Sequence, residues 1–187
     1  ETTVLEERFE PRAGIHAEIK ALAEAGELAN GATLYTTLEP CNHYGRTGPC
    51  TDAIIESGIK RVVVSLIDPD ERVSGSGVEA LRSAGIKVDV GQNAVEAGQQ
   101  LTPYLHHRRT GNPYVLLKLA ATLDGRIAAP DGSSTWITGE EARTDVHKLR
   151  AESDAICVGA GTIRNDDPRL TVRSINFVTD EDPRRIV

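Results

Sequence analysis

The chain has 187 residues, a hydrophobic content of 39% and a charged content of 26%, which is a globular composition with room for one large domain, or one domain plus part of another. No apolar run approaches the roughly 18 residues that a membrane span needs, and the charged start ETTVLEERFE lacks the apolar stretch of a secretory signal. The formal net charge is −7, and the pairs Arg108–Arg109 and Arg184–Arg185 form no basic stripe, so the expected partner is a small molecule and not a polynucleotide, which is held by concentrated positive charge.

Period and punctuation predict alternating helices and strands. The pattern HAEIKALAEAGELA, residues 16–29, is helical, with Ile19, Leu22 and Ala23 on one stripe. After Asn30-Gly31, the β-branched run ATLYTTL, residues 32–38, predicts a strand. A loop of Pro, Cys, Asn, His and Gly leads to a short helix over 51–58, closed by Gly58. The buried strand RVVVSL (61–66), the helix GVEALRSAG (77–85), the strand IKVDVG (86–91) and one long helix over about 93–109 follow. This rhythm argues for a helix-covered α/β sheet.

Basic residues, Gly and Pro interrupt the pattern at RRTGNP, residues 108–113. The expected domains are therefore 1–110 and 111–187. The second opens with an apolar strand in PYVLLKLAATLDGRIAA, continues with a helix at about 139–151 and a strand in DAICVGA, and ends in the turn-rich GTIRNDDPRLTVR. Roughly 75 residues are few for a complete α/β core, so this domain is expected to be incomplete; the first, which starts almost at its His16 helix, is expected to be clipped as well.

The three cysteines make no disulfide framework and fit a reducing compartment, with the cytoplasm as the expected location. Cys157, in an apolar stretch, is expected to be a small core side chain. Cys41 and Cys50 suggest chemistry. His16-Ala17-Glu18 opens a helix, Pro40-Cys41 follows a strand, and Cys50 comes after eight intervening residues, beside another helix. One imidazole and two thiolates fill three positions of a tetrahedral zinc ion and leave the fourth for water. Helix N-termini favour the thiolate form. Glu18, two residues past the His, can approach that water without ligating the metal and can serve as the proton shuttle of a hydrolytic deamination. His-x-Glu followed by Pro-Cys and a second Cys is the signature of zinc deaminases.

Nucleoside and polynucleotide deaminases separate the cysteines by two residues, whereas NHYGRTGP separates them here. The run TLEPCNHYGRTGPC resembles the deaminase domain of the bifunctional riboflavin-biosynthesis deaminase/reductase family. The resemblance continues through AIIESGIKRVVVSLIDPD, VSGSGVEALRSAGIKV, RTGNPYVLLKLAATLDGRIAAPDGSSTWITG and AGTIRNDDPRLTVR. It implies a cytidine-deaminase-like zinc domain followed by part of a dihydrofolate-reductase-like α/β domain. It also implies two reactions: zinc-dependent deamination of 2,5-diamino-6-ribosylaminopyrimidinone 5′-phosphate, then NADPH-dependent reduction of the ribosyl group to ribityl.

By position, the resemblance assigns Ala120, Trp136, Thr162 and Asp166 to NADPH, and Ser134, Arg150, Leu170 and Arg173 to the phosphosugar substrate. Arg150 and Arg173 can offer bidentate donors to a phosphate. Gly159 and Gly161 would let the backbone approach a phosphate closely. Arg46, in the metal loop, is the candidate for the phosphate of the deaminase substrate. A small α/β core missing strands is expected to associate into a homo-oligomer.

Two other functions stay open at this point. A nucleoside or tRNA zinc deaminase is opposed by the long cysteine spacing and the acidic charge. A non-catalytic, zinc-stabilised domain would need a fourth protein ligand, for which His43 is the nearby candidate. Because the family's reductase extends well past Val187, the purified 187-residue chain is expected to oxidise no NADPH when given substrate; robust loss of NADPH absorbance would contradict this.

Overall fold

Helix α1 (Ala17–Ala25) starts at His16, whose extended backbone forms the N-cap, and stops where Gly26 takes a φ of 52°. The helical period predicted through Ala29 persists only as a 3-10 turn, Gly26–Ala29, because a residue in the left-handed region cannot continue the α-helical ladder. The computed structural model describes residues 15–45, 47–133, 136–173 and 182–187. They fall into two units, the first ending at Leu116 and the second beginning at Leu117.

In the first unit, β1 (Thr33–Leu38), β2 (Arg61–Leu66) and β3 (Lys87–Val90) form a parallel sheet in the order β1-β2-β3. Thr33 lies opposite Arg61, and Arg61 opposite Lys87. Strand β2 buries Val62, Val63 and Val64, as a central parallel strand covered on both faces must. Helices α2 (Cys50–Glu56) and α3 (Ser76–Ser83) carry Ile54, Val78 and Leu81 into one cluster with Leu22, Val62, Val64 and Val88. Each such aliphatic side chain contributes about 1.5–3 kcal/mol by leaving water. Val63 points to the other face, where α4 (Ala94–Gln100) packs against β1 and β2 and buries Ala97.

The long helix expected over 93–109 is two helices, α4 and α5 (Thr102–Thr110). Pro103 causes the break: it has no N–H to donate, and its ring cannot sit against the carbonyl four residues back. Thr102 instead turns its hydroxyl onto the freed carbonyls of Gly98 and Gln99, at 2.9 Å each. Helix α5 is then fastened to the loop after β2. The Tyr104 hydroxyl donates to the buried Asp68 carboxylate at 2.9 Å, and Arg108 reaches Asp70 at 3.3 Å while stacking over the Tyr104 ring.

The second unit contains α6 (Glu140–Ala151), β4 (Ala155–Cys157) parallel to β5 (Arg184–Ile186), and α7 (Ala160–Asp166). The apolar strand expected from Pro113 onward is absent: residues 113–133 form no strand and make tight turns at Thr122–Arg126 and Ala129–Ser133. Val115, Leu117, Leu119 and Leu123 are exposed there. A strand exists only by pairing, and no described segment pairs with this one, so apolar content alone does not create it. Cys157, expected in the core, is exposed, because among the described residues β4 pairs with β5 alone and only its Ile156 side is partly covered. Among the described residues no helix is long and apolar enough to cross a membrane.

The Asp70 carboxyl is held well below the usual carboxylate range, chiefly by hydrogen bonds from the Arg72 side chain and backbone. A depressed folded-state value adds stability above the unfolded carboxylate value of about 3.9, and that stability is lost as the pH falls through and below it. Asp70→Asn should therefore lower the urea midpoint near pH 7, with the gap to the parent chain closing below about pH 4; a pH-independent gap would refute this account.

Candidate metal centre

Parallel β1 and β2 deliver their carboxyl ends to one edge of the sheet, where α/β folds gather ligands. Glu39, Pro40 and Cys41 follow β1 directly, the loop returns so that Cys50 is the first residue of α2, and His16 sits at the start of α1. Three separate segments thus bring three donors to one point. His16 Nδ1 is 3.1 Å from Cys50 Sγ and 3.5 Å from Cys41 Sγ, and the three ligand atoms lie within 4.8 Å of one another. A tetrahedral zinc with Zn–N of about 2.0 Å and Zn–S of about 2.3 Å sets N···S separations of about 3.5 Å. Donor chemistry and spacing therefore fit zinc.

The cluster grades from exposed His16 through half-buried Cys41 to buried Cys50, and among the described residues these three donors account for three of the four positions of a tetrahedral zinc. His43 is not part of this cluster; its Nδ1 is buried without a hydrogen-bond partner among the described residues. A closed four-ligand knot would require it inside.

The electrostatics favour a bound cation. The Cys41 thiol is drawn down to about 5, first by the hydrogen bond it receives from the Cys50 side chain and then by the Cys50 backbone N–H and His16, against its own burial. That N–H lies 3.4 Å from Cys41 Sγ and belongs to the first residue of α2, the positive end of the helix. Cys50 is pushed up correspondingly, by sharing its proton with Cys41, by burial and by the Glu18 carboxylate. Two thiols and an imidazole at this spacing are the soft donors that a zinc ion takes, and thiolates are the form it binds. Glu18 Oε2 is 3.7 Å from Cys50 Sγ, beside the donors but outside their cluster. Burial pushes its carboxyl up, while its own backbone hydrogen bond and His16 pull the other way.

In the second unit, Arg150 and Arg173 converge on Thr171. Arg150 Nη1 donates to the Thr171 carbonyl at 3.3 Å, Arg173 Nη1 approaches the Thr171 hydroxyl at 3.2 Å, and the Arg173 N–H donates to His147 Nδ1 at 3.2 Å. Burial and the neighbouring Arg173 charge lower the Arg150 guanidinium. Leu170, next in the chain, is buried at a φ of 54°. Thr162 and Asp166 lie one turn apart on α7. Trp136, the sole Trp, is exposed, with Arg143 stacked 4.7 Å above its ring. No hydrogen bond or ring contact among the described residues joins Ala120, Trp136, Thr162 and Asp166 into one cluster. Arg46 and Ser134 lie outside the described residues.

Comparison with known proteins matches both units. Residues 5–66 match the cytidine and deoxycytidylate deaminase zinc-binding region, and residues 113–187 match the RibD C-terminal domain. Riboflavin biosynthesis protein RibD of Aquifex aeolicus is 54% identical over 92% of this chain and 48% of its own length. The Escherichia coli protein of the same name is 52% identical over 91% of this chain and 47% of its own length. The chain is a relative of the RibD proteins. A solved Acinetobacter baumannii RibD structure superposes with a TM-score of 0.84 at 46% identity, covering 94% of this chain and 51% of that one. The Thermotoga maritima diaminohydroxyphosphoribosylaminopyrimidine deaminase/5-amino-6-(5-phosphoribosylamino)uracil reductase gives 0.84 at 44% identity, covering 92% and 49%. The expected mixed α/β fold, a zinc deaminase domain followed by a RibD C-terminal domain, is borne out, and the chain spans about half the length of the RibD relatives it matches.

The structure brings His16, Cys41 and Cys50 together with Glu18 beside them, and adds Glu39, absent from the sequence expectations, which is buried two residues before Cys41 with its carboxylate ringed by peptide N–H groups. The available signal was an acidic residue closing an otherwise uncharged strand, with a Ser-Gly-Ser-Gly run (74–77) downstream to supply donors. If His16, Cys41 and Cys50 hold the metal, Cys50→Ser should weaken zinc at least about 100-fold in a chelator competition titration, whereas parent-like affinity would remove Cys50 from the site.

Proposed function

We propose that the first domain, residues 1–110, catalyses hydrolytic deamination of 2,5-diamino-6-ribosylaminopyrimidinone 5′-phosphate, and that residues 111–187 form part of an NADPH-dependent reductase acting on the deaminated product. The observation that carries the deaminase is the Glu18 carboxylate, 3.7 Å from Cys50 Sγ, beside a three-donor cluster and not within it. His16, Cys41 and Cys50 would hold the zinc, which would supply the Lewis acidity that makes water a nucleophile near neutral pH.

Glu18 handles the protons. Its carboxylate takes one from the water that attacks the amino-bearing ring carbon and passes it to the ring nitrogen; it then takes the remaining hydroxyl proton of the added water and passes it to the departing amino group. The water oxygen becomes the ring carbonyl, and ammonia leaves. The elevated Glu18 carboxyl suits both halves of this cycle, since a shuttle works best when its affinity for protons lies closer to the working pH.

Arg46 is assigned to the substrate phosphate in this domain. In the second, Ser134, Arg150, Leu170 and Arg173 are assigned to the phosphosugar, and Ala120, Trp136, Thr162 and Asp166 to NADPH. The convergence of Arg150 and Arg173 supports the anionic half of that assignment, because two neighbouring guanidinium groups, with no ion pair to either among the described residues, suit a phosphate. Three free thiols support a cytoplasmic setting. The partner is a small molecule and not nucleic acid, as the net charge of −7 supports, and the chain associates with copies of itself.

Glu18→Gln keeps the shape of the side chain and removes the base. It should lower the rate of ammonia release by about 10²–10⁴-fold while one zinc per chain is retained; activity that survives the change would defeat the mechanism.

A further inference from the structure

We infer that Glu39 is a positioning residue for the metal centre: its buried carboxylate clamps the loop after β2 beneath the Pro40–Cys41 bend and so determines where the Cys41 sulfur stands. This rests on His16, Cys41 and Cys50 being the metal ligands.

Glu39 is 4% exposed, and no ion-pair partner for it is found among the described residues. Backbone donors satisfy it instead. Oε1 accepts the N–H groups of Gly77 at 2.8 Å and Val78 at 3.0 Å, and Oε2 those of Gly75 at 2.9 Å and Asp68 at 3.3 Å. Its own N–H donates to the Leu66 carbonyl at 2.9 Å. One residue thus holds the end of β1, the end of β2 and the start of α3. The packing leaves no slack: a Cβ on Gly77 would collide with the Pro40 carbonyl oxygen and press on the Glu39 side chain, and Pro40 is itself fully buried. On its far side, the Cys41 carbonyl accepts the Thr51 N–H of α2 at 3.2 Å. Cys41 is therefore pinned between the Glu39 clamp and α2.

A carboxylate is required at this point. Four donors aim at two oxygens, which a carboxylate accepts in full, whereas an amide offers one oxygen and turns an NH₂ group against two N–H groups. Well-formed metal sites keep their ligand distances within about 0.2 Å of the ideal values, so a bend that relaxes by more than this alters the site even while the sheet stays folded.

The test compares the parent chain with Glu39→Gln, with Gly77→Ala, which keeps the carboxylate but pushes on Pro40, and with Val88→Ala, a core truncation remote from the metal. Two quantities are read: the rise in melting temperature on adding zinc, which reports affinity for the folded state, and the visible absorption of the cobalt(II)-loaded chain. Glu39→Gln and Gly77→Ala should show a smaller zinc-induced rise, cobalt binding about tenfold weaker or more, and displaced tetrahedral bands; Val88→Ala should melt lower but keep the parent's zinc increment and spectrum. Parent-like increments and spectra in the first two variants overturn the inference. So does failure of either to fold both with and without zinc, since the clamp would then be a determinant of the fold alone. A parent chain that binds cobalt tetrahedrally yet releases no ammonia would remove the deaminase function and leave the role of Glu39 standing.

Discussion

A carboxylate withdrawn from water must regain its hydrogen bonds inside the protein or it destabilises the fold. In this chain Glu39 regains them from four peptide N–H groups spread over residues 68–78, and much of the first unit depends on that exchange. The segment it captures continues into Asp68 and Asp70, which hold Tyr104 and Arg108 of α5. Both faces of the sheet are thereby tied to the one edge at which the metal donors meet. Hydrophobic burial around Val62, Ile54 and Leu81 supplies the bulk of the stabilisation, but it is non-directional; the polar clamp adds the direction.

The donor cluster and its surroundings are mutually dependent. Cys50 opens α2, lends its N–H to Cys41 and places its own sulfur against His16 and Glu18. Two thiols and a carboxylate in so small a volume repel one another when ionised. A dication relieves that repulsion, so the crowding of negative groups is itself a driving force for capturing the metal.

The sheet and the donor set were legible in the sequence because each rests on local signals: β-branched runs for β1 and β2, a helix opening at His16, Pro-Cys at the end of a strand. The features that escaped depend on what lies across space. Pro103 was visible, yet the apolar period on either side of it suggested one helix, and only the freed carbonyls of Gly98 and Gln99 show that the chain starts afresh. Residues 113–129 have the composition of a strand but no described partner with which to be one. Cys157 has apolar neighbours in sequence but few in space. Nothing local marks Glu39 as buried, because an acidic residue at a strand end is ordinarily solvated and its four donors lie 29 to 39 residues further along the chain.

That spacing also sets an order in time. His16 and Cys50 are separated by 34 positions with Cys41 between them, and all three are synthesised before Gly75, Gly77 and Val78 exist. A chain growing from its N-terminus therefore exposes a complete donor set while the backbone that holds Cys41 in register has yet to emerge. In chain order the donors come first, and the peptide N–H groups that fix Cys41 through Glu39 come after them.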